Sequence, residues 1–511
     1  PRSTLFPYTT LFRSVFDGKQ LYYLQLRQIT GRKEVQIYSN KMAKEMLPGQ
    51  IKPMVWSVNI PLVNGTWIGL LSEITGPLGI KPEELARPFY YQTYFNIAAL
   101  GRIFSEFGMS PDSLERLMTS SGSGGHSFRP GVRTLKHTFR IIRFLNSKLN
   151  FEKRFLKEYP DLKVRYTRMS ERMEGEFSLS SYPGLFADLF ETGQRLAYLN
   201  IVTPMLATMC HKSLSKKLGK LEIDYEKLDF RHDFPHLADY EPLPLMHDIR
   251  KEIERLPPET RERCTSFREM GRCAETEHVM EKFSLLLEKF GHLSESGNDF
   301  SYPKWEEEPE TVFNMIMSSD GSDKRSGLFT FGSIREKGVS TGRSLKKSYM
   351  KAGRFKLYRE QISSLYIFGY GLFRRLFLQL GAEMVSRGIL LGADDIFYLT
   401  KEEADSIVSN IDRVTGDEYS ALVKKRRQEM EETRDIVLPP IIYGDEAPLP
   451  ETGRSRNHSG TGTSPGIFTG VTRVVKGIRD FAEVTGGDVL LIPFSDVSWT
   501  PVLAKDRKSV V

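Results

Sequence analysis

Apolar positions along most of the chain recur at helical spacing. After Lys81-Pro82-Glu83-Glu84, residues Leu100, Ile103, Phe104 and Phe107 fall at i, i+3, i+4 and i+7. That is one face of a helix, with Pro82 suited to a first turn and Gly108 to a C-terminal stop. Val279, Phe283, Leu286, Leu287 and Phe290 repeat the spacing ahead of Gly291. Residues 366–380 are apolar nearly all round, which predicts a central, buried helix. In 418–434, Tyr419, Leu422, Val423 and Met430 make a narrower stripe, and the Lys-Lys-Arg-Arg run at 424–427 is expected to be a solvated face. Residues 41–439 therefore read as overwhelmingly helical.

At both flanks the period shortens. After a turn at Asp17-Gly18, residues 20–26 alternate and carry aromatics, the pattern of a strand. Past the polar linker 446–459, two apolar runs, 471–475 and 488–493, also read as strands and open an α/β region. Residues 120–127 and 318–342 are rich in Gly and Ser and read as loops. The first of these lacks the flanking strand and Gly-Lys-Ser/Thr ending of a phosphate-binding loop. Residues 1–14 and 506–511 share no pattern with their neighbours and are expected to be foreign sequence.

The 511 residues suggest roughly two to four domains. With 40% hydrophobic and 27% charged residues, the composition supports packed cores rather than global disorder. The net charge of +7 suits an acidic or phosphorylated partner. No zinc-finger spacing, basic zipper or RNA-binding aromatic signature accompanies it, so nucleic acid is not an expected partner. Cys210, Cys264 and Cys273 form no CxxC pair and are too few for a disulfide framework, which fits a reducing cytoplasm. Asn200 and Pro204 interrupt the apolar window 196–210, and Arg374 and Arg375 interrupt 365–380. Neither window gives the ~20 apolar residues of a membrane span, and no membrane partner is expected.

Two sets of motifs carry a resemblance. Leu24-Gln25-Leu26-Arg27-Gln28-Ile29-Thr30 is similar to the strand that closes the ATP-grasp domain of the phosphoenolpyruvate-utilising dikinases, with Gln28 where the family has Pro. Gly460-Thr-Gly-Thr-Ser-Pro-Gly466, Gly470-Val-Thr-Arg-Val-Val475, Gly487-Asp-Val-Leu-Leu-Ile-Pro493 and Ser495-Asp-Val-Ser-Trp-Thr-Pro501 resemble, in order and spacing, the opening of that family's swivelling phosphohistidine domain. Between them, Met54-Val-Trp-Ser-Val-Asn-Ile-Pro-Leu62, Phe89-Tyr-Tyr-Gln-Thr-Tyr-Phe-Asn96, Phe290-Gly-His292 and Asp394-Asp-Ile-Phe-Tyr-Leu-Thr400 resemble the helical middle domain of its rifampicin phosphotransferase-like members. Leu293 stands where those members usually carry Arg.

The resemblance implies a mainly α fold, truncated at both ends. Residues 15–34 would end an ATP-grasp domain, 35–445 form a helical acceptor-binding domain, 446–459 a linker, and 460–505 the start of the swivelling domain. The implied activity of the intact protein is a dikinase-type phosphotransfer. The β-phosphoryl of ATP would pass through a phosphohistidine to pyruvate or a hydroxylated small molecule, with Mg²⁺ as cofactor. Gln25 and Arg27 would meet ATP, and a guanidinium suits phosphate by its paired donors. The carrier histidine would lie beyond the chain's end, so no catalytic residue is assigned and the fragment alone is expected to be inactive. Trp56, Trp67, Tyr90, Tyr91 and Tyr94, with His292, are candidates for the acceptor pocket, although aromatic residues at such spacing also build cores. The rival reading is a non-catalytic helical ligand-binding or scaffold protein with relic flanks.

Overall fold

The computed structural model describes residues 10–16, 20–28, 35–41, 43–106, 137–175, 177–318, 329–332, 343–448, 469–485, 487–492 and 497–505. Residues 120–127, His458 and the 460–466 motif lie outside that set, as does most of 318–342. The structure is 68% helical and 7% strand, so the mainly α expectation holds.

Strands β1 (Thr10–Phe16) and β2 (Leu21–Gln28) pair antiparallel, so β1 draws in residues 10–14, which had no recognisable pattern of their own. A second sheet takes the order β4-β5-β3-β6, from β3 (Ile37–Ser39), β4 (Ala86–Phe89), β5 (Gln92–Asn96) and β6 (Ile441–Tyr443). Antiparallel pairing of β3 with β6 brings the two ends of the helical region together. Residues 81–107 are thus not one helix. A 3-10 turn (Pro82–Leu85) and two strands precede α3 (Ile97–Glu106), because the stretch from Phe89 to Asn96 is dominated by aromatic residues and Thr, which favour strand.

Helices α1 (Pro53–Asn59) and α2 (Gly65–Thr75) are joined by a π-turn, Ile60–Asn64, that contains Pro61. The joined run 53–75 is long and apolar enough to cross a membrane by length and composition, which the sequence windows at 196–210 and 365–380 were not; half of its apolar window is buried inside the protein. Downstream come α4 (Thr138–Leu149), α5 (Phe151–Glu174) and α6 (Tyr182–Leu218). The central helix is α12 (Arg343–Ser386), and 366–380 lies within it as the pattern predicts. Helices α1, α5, α6 and α12 share the main core, which includes Val58, Leu62, Tyr166, Leu196, Phe373 and Phe377. Gly369 lets α5 and α12 close up: a Cβ there would stand 2.4 Å from the Tyr166 hydroxyl.

Before α12 come α7 (Leu243–Arg255), α8 (Pro258–Arg263), α9 (Phe267–Met270), α10 (Glu277–Phe290) and α11 (Pro309–Ser318); all but α8 contribute side chains to a second apolar cluster, which Ile367 of α12 joins. Val279, Phe283, Leu286 and Phe290 are buried in it, and Leu287 packs at its edge. After α12 follow α13 (Lys401–Ser409) and α14 (Gly416–Glu432). Half of the basic run on α14 is not simply solvated. Arg426 grips Glu403 with both ends of its guanidinium, at 2.6 and 2.8 Å, and Arg427 reaches Asp395 at 2.5 Å. The C-terminal strands β7 (Thr472–Val474) and β8 (Val489–Leu491) pair in parallel. They and α15 (Thr500–Lys505) complete the α7–α11 cluster, with Phe481 and Trp499 buried there and the Trp499 indole donating to the Glu295 carbonyl at 3.3 Å.

Candidate functional site

A cavity of about 310 Å³ opens where two helices lose regularity. On one side is the π-turn, which contributes Ile60, Val63 and Asn64, flanked by Asn59 and Trp67. π-turns inside helices recur at functional sites because they free backbone groups and redirect side chains. On the other side is α6, where Pro204 has no N–H to return to the Asn200 carbonyl one turn back. Asn200, Ile201 and Pro204 all line the cavity. The interruption that spoiled 196–210 as a membrane span is therefore a wall of this site.

The described lining is apolar or neutral-polar, without a charged side chain. Three of its polar side chains, Asn59, Tyr366 and Tyr370, are fixed in direction. Tyr370 donates to Asn59 Oδ1 at 2.8 Å, and Asn59 Nδ2 donates to the Asn298 carbonyl at 2.8 Å. The Tyr370 proton is thereby committed, so the 2.9 Å contact between the two phenols has Tyr366 as donor. Tyr366, which lines the cavity, thereby keeps acceptor capacity at its Oη. Burial pushes Tyr366 up to about 12, which keeps it a neutral phenol at pH 7.

Behind the cavity lies a charged network built from the same segments. Arg374, buried on α12, pairs with Glu307 through Nε and Nη2 at 2.8 and 2.7 Å and donates to the Ser301 carbonyl at 2.9 Å. Asp299 is buried and accepts from the Ser301 amide at 2.8 Å; burial raises its pKa, and those hydrogen bonds oppose the rise. Lys52 sits over the rings of Phe397 and Tyr398 at 5.7 and 5.3 Å. Burial lowers its pKa, offset by the charges of Asp299 and Asp394.

The structure scatters the residues singled out from the sequence. Trp67 lines the cavity, whereas Trp56 lines a separate groove with Tyr38, Glu84 and Arg87. Tyr90 and Tyr91 form the two-residue turn between β4 and β5, at φ 49° and 65°. Positive φ at both positions matches the twist of a hairpin, but it is costly for tyrosine. Their hydroxyls donate to the Pro448 carbonyl and to Glu429 Oε2. Tyr94 is fully buried, accepting from Asn40 and donating to the Pro439 carbonyl at 2.8 Å, so it serves the sheet's core. His292 is half-buried, with Nε2 3.4 Å from Ser364 Oγ. Burial, then the Lys304 charge, lowers its pKa to about 4, so it is neutral at pH 7. Gln25 and Arg27 lie on β2 opposite Arg13 and Leu11 and are not among the described residues of the cavity. The asparagines and the Tyr366–Tyr370 pair were missed as site residues. Their signals were a proline two or four residues after an asparagine inside a helix, and two phenols one turn apart in an apolar helix.

Comparison with known proteins finds the chain similar, at low identity, to rifampicin phosphotransferases. It is 24% identical over 251 residues to the rifampicin phosphotransferase of Bacillus cereus, which covers 44% of this chain and 28% of that protein. It is 25% identical over 241 residues to the rifampicin phosphotransferase of Streptomyces sviceus and 23% identical over 241 to that of Bacillus subtilis, each covering 42% of this chain and 27% of the relative. The aligned stretch thus spans little more than a quarter of the length of the curated relatives it matches. No family model matches the chain.

Proposed function

We propose that this chain carries the acceptor-binding region of an ATP-dependent phosphotransferase of the dikinase type. In the whole protein the β-phosphoryl of ATP would move by way of a phosphohistidine to a small neutral alcohol. The observation that carries this reading is the cavity beside the π-turn. Its volume lies at the low end of the ~300–1,000 Å³ usual for small-molecule sites. Its apolar walls and aligned amides and phenols suit a compact, hydroxylated, uncharged molecule. Pyruvate would bring a carboxylate to a described lining that has no cation to meet it.

The cavity's own residues would bind and orient the acceptor. Trp67, Ile60 and Ile201 would exclude water, and Tyr366 Oη would accept the ligand's hydroxyl proton and fix which oxygen faces outward. Gln25 and Arg27 on β2 would contact ATP, as their motif implies. Among the described residues no group of three or more His, Cys, Asp or Glu side chains could hold a metal ion. Mg²⁺ therefore has no site assigned among them, and no step is routed through one.

The test uses the protein of the complete source gene with β-labelled ATP, Mg²⁺ and a panel containing pyruvate, rifampicin and smaller neutral alcohols. Label is expected on a neutral hydroxylated compound. Label passing only to pyruvate, or none on any protein histidine, sinks the reading.

A further inference from the structure

Far from the cavity, the α7–α11 cluster holds a side-chain group that phosphotransfer does not use. Cys264 caps the end of α8, and Cys273 precedes the 3-10 turn Ala274–Thr276 that leads into α10. The loop between them folds back because Met270 is buried in the cluster and Thr276 Oγ1 donates to the carbonyls of Met270 and Cys273, at 2.5 and 2.7 Å. As a result Cys273 returns to the end of α8, beside Cys264 and its neighbour Arg263. Cys264 is buried, whereas Cys273 is half-buried and open to small solutes.

Two neighbouring thiols at the edge of an apolar cluster would ordinarily be packing alone. The polar groups around this pair set it apart. Arg263 Nη2, from the residue next to Cys264 in the chain, stands 3.3 Å from Cys273 Sγ. Glu275 Oε2 accepts from the Cys273 thiol at 3.5 Å and is itself held by Thr260 Oγ1 at 2.8 Å and Arg263 at 2.9 Å. A guanidinium that faces the sulfur favours its thiolate, as around a reactive cysteine, and Glu275 is the adjacent acceptor for the thiol proton.

We propose that Cys264 and Cys273 form a reversible dithiol–disulfide pair whose oxidant is hydrogen peroxide. Glu275 takes the Cys273 proton, and the sulfur's electron pair attacks a peroxide oxygen. The S–O bond forms as the O–O bond breaks, and the departing oxygen leaves as water once protonated. Cys264 sulfur then attacks the sulfenic sulfur of Cys273; the S–S bond forms, the S–O bond breaks, and a second water leaves with the Cys264 proton. Two thiols lose two electrons and one peroxide gains them. Such pairs in a reducing compartment act transiently, as sensors rather than as permanent braces. The bridge would tie the end of α8 to the approach to α10, on the cluster that also seats Val475, Phe481, Leu490 and Trp499.

The experiment treats the full 511-residue chain with hydrogen peroxide and counts free thiols under denaturing, non-reducing conditions. The count is expected to fall from three to one, with a single intrachain crosslink mapped between Cys264 and Cys273, and dithiothreitol should restore all three. Unchanged thiols, a crosslink between chains, or sulfinic acid on Cys273 with Cys264 free would overturn the proposal. In Cys264→Ser, dimedone should trap a sulfenic acid at Cys273, and its absence counts against Cys273 as the attacking thiol. Because Arg263 is exposed, Arg263→Gln should fold normally; it is expected to slow the oxidation several-fold with Cys210 reactivity unchanged, and an equal rate removes the guanidinium from the account.

Discussion

The cavity and the charged wall behind it come from the same three stretches of chain, yet their chemistries are opposite. Asn298 lines the cavity and Asp299 enters the network. Tyr370 and Arg374 are one turn apart on α12, and Asn59 and Lys52 are two turns apart at the start of the run 53–75. On the cavity side every described polar group is neutral, whereas on the other side buried charges meet partners. The difference separates two jobs. Neutral dipoles can face an empty volume at modest cost and still read a ligand's hydroxyl. A buried ion must be paired, so the charged wall fixes the frame and is a poor place for exchange with solvent.

If the charged wall is the frame, cutting it should have the largest effect. Arg374→Met leaves Glu307 and the Ser301 carbonyl without their donor and is expected to lower stability by about 3–5 kcal/mol, read as a fall in the urea midpoint. A change within error would mean that the network is ornamental and erase the contrast. Tyr370→Phe strikes the seam between the regions. It strips Asn59 Oδ1 of its donor and releases the Tyr366 proton, for an expected loss of about 1–3 kcal/mol by the same titration. On the cavity side, Trp67→Leu should weaken binding of whichever acceptor takes label about tenfold, worth about 1.4 kcal/mol, while the urea midpoint moves far less. Equal losses of binding and stability would make the cavity part of the frame.

The smallest effect is in pH. His292 has its pKa lowered to about 4 from 6.5 by burial and Lys304, with Glu306 opposing. Its contribution is complete above pH 6.5 and is lost as pH falls toward 4. Glu295 is raised to about 7 from 4.5 by burial, against Arg479 and with Glu308 and Asp480 adding to the rise. Its contribution is complete below pH 4.5 and is lost as pH rises through 7. Between pH 4.5 and 6.5 the two oppose each other. His292→Gln should leave stability falling more steeply with pH across that window, and Glu295→Gln should leave it rising; unfolding midpoints at four or five pH values would show whether the slopes separate.

The helical frame was legible because its apolar residues keep period, as in α10 and α12. Apart from Trp67, site residues were legible only as faults in that period. Asn200 and Pro204 stood out as interruptions, but nothing local says that an interruption on α6 will meet another at Pro61. That meeting depends on a Leu62 contact near Gly193, where a Cβ would lie 3.1 Å from the leucine side chain. The aromatic residues misled for a different reason. Tyr90 and Tyr91 occupy a turn whose dihedrals usually call for Asn-Gly, so turn chemistry pointed away from the hairpin. The basic run on α14 was only half legible, since the partners of Arg426 and Arg427 lie more than twenty residues upstream.

The π-turn Ile60–Asn64 acts on the run 53–75 as a phase shift. A widened turn takes up an extra residue, so α1 and α2 each seat their apolar stripe from a separate origin. Met54, Val55 and Val58 keep one register, and Thr66 and Leu70 keep another. Deleting one residue from the regular turns of α1 would rotate everything downstream by about 100° and turn Trp67 off the cavity, whereas a deletion within Ile60–Asn64 would be taken up by reversion to an ordinary α-turn. Changes of length should therefore be tolerated at the π-turn alone in this stretch.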